Sequence, residues 1–266
     1  MKTATFQMFF YFALVGSLSA QSFWFPGLLR NPGDNFLAEL SFHGHDLNAV
    51  ELRIPSEGAV LAPSGENTVI GFQSIALGAE AAMRWKYFEL EGGADLAFGS
   101  IEIDSIDDPV FGLNLKIGGI IKYNFEFSDN MELIPYFRSG FSMEYMMGEF
   151  LFVDEFGRYV YIGSDDYYTT FYNAAFGGLY KWGKFQTGLQ FGKYIPIAGS
   201  LSDMGDILEP ISPLYLQLRL GYAGFSLGYR KDFYNDTATF YDQDGENQVD
   251  LEWKGGVLDV AWSVDW

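Results

Sequence analysis

Two histidines and an aspartate fall within the short stretch FHGHD, as His43, His45 and Asp46. A histidine beside a carboxylate is what general-base chemistry needs, because the carboxylate orients the imidazole and stabilises its protonated form. The same imidazoles, with Asp46 or Glu51, would supply half of a zinc-type ligand set. Nothing elsewhere completes either arrangement. The chain has no cysteine, no serine–histidine–aspartate order, no glycine-rich phosphate loop and no CxxC pair. DQDGEN at 242–247 opens like an acidic calcium loop but lacks the third spaced ligand and the closing glutamate. Asp244–Gly245 reads instead as a hairpin tip. The expectation is therefore no catalytic residue, no metal and no cofactor, with both histidines as ordinary loop residues and the chain not an enzyme.

A second set of chemically active residues is scattered rather than clustered. It comprises Glu39, Glu80, Arg84, Glu89, Glu91, Asp95, Lys116, Lys122, Arg138, Glu144, Lys181, Arg219, Asp259 and Asp265. Eight are acids and six are bases. What unites them is parity: each lies on the polar side of an alternating segment, and the opposite side of those segments carries no charge. Strands are expected at about 36–43, 69–85, 88–98, 111–123, 133–145, 168–182, 185–191, 214–222, 225–229 and 258–266. One face of the last strand reads Leu258, Val260, Trp262, Val264, Trp266; the other reads Asp259, Ala261, Ser263, Asp265.

These segments reach well past the usual five or six residues of globular strands. Their polar face is also rich in glycine, as at Gly112, Gly118, Gly140, Gly177, Gly188 and Gly221, which suits a crowded interior better than open solvent. Alternation of apolar-out and polar-in over about ten residues is the signature of a transmembrane β-barrel. Hydrocarbon forbids an open sheet edge, so the sheet must close, first strand on last. The predicted fold is all-β: a closed, up-and-down antiparallel barrel of about ten strands. Its interior is narrow, since about eight strands leave room only for side chains. The fourteen charges then either lock the lumen with ion pairs or line a thin aqueous path.

The ends and connections fit this plan. Residues 1–20, MKTATFQMFFYFALVGSLSA, carry one charge, an apolar run and small residues, the anatomy of a secretory signal peptide. Residues 21–266 make the barrel, with 21–34 as a periplasmic lead-in or partial plug. Short connections at Lys86–Tyr87, Gly183–Lys184 and Ala223–Gly224 mark the periplasmic end; longer ones at about 44–68, 99–110, 146–167, 192–213 and 230–257 mark the exterior. Within the third, 149–162 has the pattern of a hairpin standing above the membrane. Trp85, Phe88, Tyr123, Trp182, Phe185, Tyr222, Phe225 and Trp266 gather at the short-turn end, and Phe42, Phe98, Phe111, Tyr145, Tyr168 and Tyr229 at the other, as two interfacial girdles. Val249, Leu251 and Trp253 have the opposite parity to Leu258, so Gly255–Gly256 is expected to hold a bulge.

Trp262, Val264 and Trp266 resemble the C-terminal signature of the bacterial outer-membrane β-barrel superfamily, and the architecture resembles its small, eight- to ten-stranded porin-like and OmpW-like members. The resemblance implies an outer-membrane location, those three residues as an assembly signal read by the barrel-assembly machinery, and a monomer embedded among lipid and lipopolysaccharide. It implies a small channel or solute-binding barrel; the alternative is a surface-interaction barrel using its long acidic, Tyr-rich loops, such as RYVYIGSDDYYTTFY. The ten-stranded outer-membrane proteases place carboxylates and a histidine at the barrel rim, but their histidine comes from a late strand, an arrangement not found here. The net charge of −19 excludes nucleic acid, which needs a basic surface. The densest acidic loops, IEIDSIDDP and DGENQVDLE, could gather divalent cations.

Overall fold

The computed structural model describes residues 30–52, 68–103, 106–153, 159–199, 214–242 and 245–264. Side chains are described over the middle and lower parts of these stretches. Eleven strands form one sheet: β1 (Phe36–Leu52), β2 (Thr68–Arg84), β3 (Phe88–Ile103), β4 (Ile106–Lys122), β5 (Phe125–Ser128), β6 (Met131–Val153), β7 (Tyr159–Trp182), β8 (Phe185–Gly199), β9 (Leu214–Tyr222), β10 (Phe225–Asp242) and β11 (Gly245–Val264). All pairings are antiparallel and join sequence neighbours, except that β4 and β5 do not pair. Two further pairings complete the ring: β4 bridges to β6 past the short β5, and β1 closes on β11 from Phe36↔Val264 to Leu52↔Val249. Ten long strands thus make a closed barrel, with β5 a short addition to the turn between β4 and β6. No helix among the described residues is long and apolar enough to cross a membrane.

Parity decides which side each residue takes. In β9 the burial alternates without a break, with Tyr215, Gln217, Arg219 and Gly221 inside and Leu214, Leu216, Leu218, Leu220 and Tyr222 outside. The same division runs round the ring. Outward residues such as Ile117 (59% exposed) and Phe176 (68% exposed) join Leu77, Leu96, Ile121, Leu189, Leu227 and Val260 in a continuous apolar belt. Water would expel so large a patch; hydrocarbon accepts it. The interior holds the charges.

At the short-turn end the belt is edged by paired rings: Trp85 with Phe88 at 5.6 Å, Tyr87 stacked on Tyr123 at 5.9 Å, and Phe225 on Trp262 at 6.4 Å between centroids. Phe98 with Phe111 (5.2 Å) and Phe141 with Tyr172 (5.4 Å) edge the other. The turns below are tight because their residues permit it. Trp182 pairs with Phe185 across Gly183–Lys184, with Gly183 at φ +58°. Tyr222 pairs with Phe225 across Ala223–Gly224, both central residues at positive φ, as a type I′ hairpin turn requires.

Two expectations need correction, and one connection holds a further element. The strands run further than their apolar pattern: β6 and β7 stay paired out to Val153↔Tyr159, and β10 and β11 out to Asp242↔Gly245, so much of the supposed loops 146–167 and 230–257 is paired strand. Outside the hydrocarbon a strand no longer needs an oily face, and the pattern fades before the hydrogen bonding does. The connection after β4 contains β5, pairing Phe125 with Leu133. Finally, the register passes through Gly255 and Gly256 without a shift on either neighbour; the irregularity lies on β1, between Ala49 and Glu51. Gly256 serves close approach instead, since a Cβ there would stand 3.1 Å from the Tyr229 hydroxyl.

Candidate functional site: the charged lumen

The strands place eleven of the fourteen predicted lumen charges in buried positions: Glu39, Glu80, Glu89, Glu91, Asp95, Lys116, Lys122, Arg138, Glu144, Arg219 and Asp259. Arg84 is exposed at the short-turn mouth, where it donates to the Asn35 side-chain oxygen, and Lys181 is half-buried nearby. These two line a recess of about 610 Å³ at that mouth, together with Gly33, Lys86, Lys122 and Glu132. Asp265 and Trp266 lie outside the described residues; Trp262 is exposed on the belt and Val264 half-buried at the foot of β11.

The buried charges form three groups stacked along the barrel. In the lowest, the central residue comes from no strand. Arg30 is 1% exposed. Its Nη2 lies 2.6 Å from Glu89 Oε2 and 3.2 Å from Glu91 Oε2, while its Nη1 donates to the backbone oxygens of Asn31 and Asp34. Glu89 also takes Lys122. Glu91 also takes Arg138 Nε at 3.1 Å, and Arg138 in turn donates to the Arg30 carbonyl and, at 3.2 Å, to Gln190 Oε1. Tyr136 donates to that same oxygen at 3.0 Å. Each of the two glutamates therefore bridges two cations, and Arg30 is the member they share.

The middle group is two-centred. Lys116 Nζ meets Glu80 and, at 3.0 Å, Asp95. Gly93 makes the room, because a Cβ there would come within 2.7 Å of both the Lys116 and Glu80 side chains. Opposite, Arg219 joins Asp259 and Glu39 and donates to Ser226 Oγ at 3.2 Å, with Ser41 donating to Glu39.

In the upper group, Arg230 Nε lies 2.9 Å from Asp232 Oδ1, and its guanidinium stands 5.8 Å from the ring centres of both Tyr194 and Tyr215. Those rings are 4.9 Å apart. The Tyr215 hydroxyl accepts from Gln190 at 2.9 Å and shares bonds with Asn173, so the upper and lower groups meet at Gln190. Glu144 is buried here at 2% exposure, and neither carboxylate oxygen has a hydrogen-bond partner among the described residues.

Arg30, Arg230, Asp232, Tyr194 and Tyr215 were not anticipated. Arg230 and Asp232 continue the inward parity of Ser226 and Gly228, a signal hidden by ending that strand at Tyr229. Arg30 left none, because a residue from an unpatterned segment has no parity to read. His43 is buried on the lumen face of β1. The side chains of His45, Asp46 and Glu51 lie outside the described set, and no group of three potential metal ligands occurs among the described residues.

No family model matches the sequence, and no curated protein matches it. Solved structures that resemble it are bacterial outer-membrane barrels. The translocator domain of autotransporter NalP from Neisseria meningitidis is 9% identical with a TM-score of 0.41, over 96% of this chain and 97% of that one. An outer membrane channel from Pseudomonas putida F1 is 10% identical with a TM-score of 0.40, over 90% and 99%. The outer membrane protease OmpT from Escherichia coli is 10% identical with a TM-score of 0.35, over 89% and 99%. At these identities the likeness concerns fold alone. The fold is that of a closed antiparallel barrel of ten long strands.

Proposed function

We propose that this protein is exported through its 1–20 segment to the outer membrane, assembles there through its C-terminal strand, and serves as a small-solute channel or binding barrel that rests closed. One observation carries the reading: the lower lumen is filled by Arg30, which belongs to no strand. Side chains rooted in the wall are permanent, but a segment held by ion pairs can leave. The lining that would then be uncovered, Glu89, Glu91, Lys122 and Arg138, is mixed in charge and favours small polar solutes over ions of one sign.

The test is single-channel recording of the full chain in a planar bilayer, alongside Arg30→Ala. The wild type should show rare, small openings and the variant frequent discrete ones. Silence of both at every voltage would remove the channel reading.

A second reading, surface interaction, is favoured by the β6–β7 hairpin, which stays paired to Val153↔Tyr159, well beyond the Phe141–Tyr172 pair of the outer girdle. A paired ladder of this length offers partners a strand surface beyond the girdle at little cost in ordering. Trimming residues 148–164 should abolish binding to cells or matrix while the barrel stays folded.

A further inference from the structure

The lipid-facing side of this barrel is not wholly uncharged. Strands β8 and β10 continue past the limits suggested by their apolar pattern, and each brings one lysine to the outside. Lys193 is exposed between buried Gly192 and Tyr194, and Lys231 is half-buried between buried Arg230 and Asp232. Among the strand residues whose side chains are described, these are the only charges on the outward parity. Both are cations, and both lie toward the long-loop end. They also lie close together: Leu214 pairs with Lys193 on one side and Phe233 on the other, while Leu216 pairs with Phe191 and Lys231. The two lysines therefore flank β9, one diagonal step apart, with α-carbons about 12 Å from each other by strand spacing and rise.

Their depth follows from the strands. Lys231 stands six positions and Lys193 eight positions above the short-turn ends of β10 and β8. At a tilt of about 40° these positions are about 16 and 21 Å up a belt about 25 Å tall. An ammonium cannot remain in hydrocarbon, so each stem runs along the apolar wall to the headgroup layer on the long-loop side. No carboxylate among the described side chains shares the outward face. Asp232, the nearest acid in sequence, points into the lumen and is held by Arg230.

The geometry points to a binding site for the phosphate of an anionic membrane lipid, held between Lys193 and Lys231 across β9 in the outward leaflet. Leu214 and Leu216, exposed between them, offer the apolar floor for an acyl chain. This rests on the membrane-spanning reading of the belt, not on gating by Arg30, so failure of the conductance test leaves it intact. If the purified chain were soluble without detergent, both would fall together.

The test is native mass spectrometry of the full chain in detergent doped with equal amounts of phosphatidylglycerol, bisphosphorylated lipid A and phosphatidylcholine. The wild type should retain the anionic lipids in preference to phosphatidylcholine. Lys193→Gln/Lys231→Gln should lose that preference about tenfold, and each single variant should lose part of it, with heat-modifiability unchanged. Millimolar inorganic phosphate should not displace the lipid. Retention without preference in the wild type, undiminished preference in the double variant, or displacement by inorganic phosphate would each overturn the assignment.

Discussion

Arg30 and Glu89 stand 59 positions apart in sequence and 2.6 Å apart in space, and only one of them belongs to the barrel wall. Removing one partner of a buried ion pair leaves the other charge dry, at a cost of up to about 3–5 kcal/mol. Here Glu89 keeps Lys122 and Glu91 keeps Arg138, so Arg30→Ala should fall at the lower end of that range. Adding Glu89→Gln and Glu91→Gln to Arg30→Ala should deepen the loss, since Lys122 and Arg138 are then left buried without a carboxylate. Urea unfolding in lipid vesicles measures both. If Arg30→Ala alone left stability unchanged, the segment would be a passive visitor to the lumen.

Glu144 gives a prediction of the opposite sign. Its carboxylate is buried with no hydrogen-bond partner among the described residues, and the attraction of Arg230 is set against that burial and against the charge of Asp95. An unsatisfied buried polar group costs about 1–3 kcal/mol. Glu144→Gln, which removes the charge and keeps the shape, should therefore stabilise the barrel by about 1 kcal/mol. Unfolding curves of the two proteins in the same vesicles decide it. A loss of stability instead would mean that the attraction of Arg230 outweighs the cost of burying the charge.

The division between an oily exterior and a salted interior can be probed at Leu218, midway along β9 and outward. Arginine at the middle of a lipid-facing strand costs about 2–4 kcal/mol, falling to about 0–1 kcal/mol near the interface. Leu218→Arg should thus destabilise far more than Leu214→Arg, although both replace an exposed leucine on the same strand. Equal costs would contradict the placement of the belt.

How much of this was legible depended on periodicity. A two-residue period under a hydrophobic constraint reveals strand, face and closure at once, so Phe36–Phe42 and Leu258–Val264 could be matched as opposite edges before their register Phe36↔Val264 was seen. Eleven of the lumen charges followed from parity alone. What escaped lay where the constraint relaxes. Lys231 interrupted the apolar face of β10 and so hid Arg230 and Asp232 behind it. Gly255–Gly256 mimicked a bulge, because loss of alternation above the membrane and a register shift look the same in sequence. Arg30 was beyond reach, since its role depends on three-dimensional proximity to Glu89 and Glu91 and on no local pattern.

The turn between β9 and β10 offers a last prediction, about backbone rather than charge. Ala223 has φ +51° and is the only non-glycine residue among those described with positive φ. Its Cβ crowds the neighbouring carbonyl there, at a cost of about 1–2 kcal/mol. The strain persists because the position is fixed from both sides: Tyr222 pairs with Phe225, and the Ala223 N–H donates to the Lys184 carbonyl of the adjacent turn at 2.9 Å. Asparagine and glycine tolerate this conformation and dominate the first position of type I′ turns. Ala223→Asn should therefore raise stability by about 0.5–1 kcal/mol, and Ala223→Gly by somewhat less because glycine also gains freedom in the unfolded chain. Refolding into vesicles, followed by heat-modifiability on gels, should also quicken for Ala223→Asn if this hairpin forms early. An Ala223→Val variant, whose branched side chain cannot adopt the turn, should slow refolding and lower stability. If valine were tolerated as well as asparagine, the positive φ would not be a fixed feature of the turn.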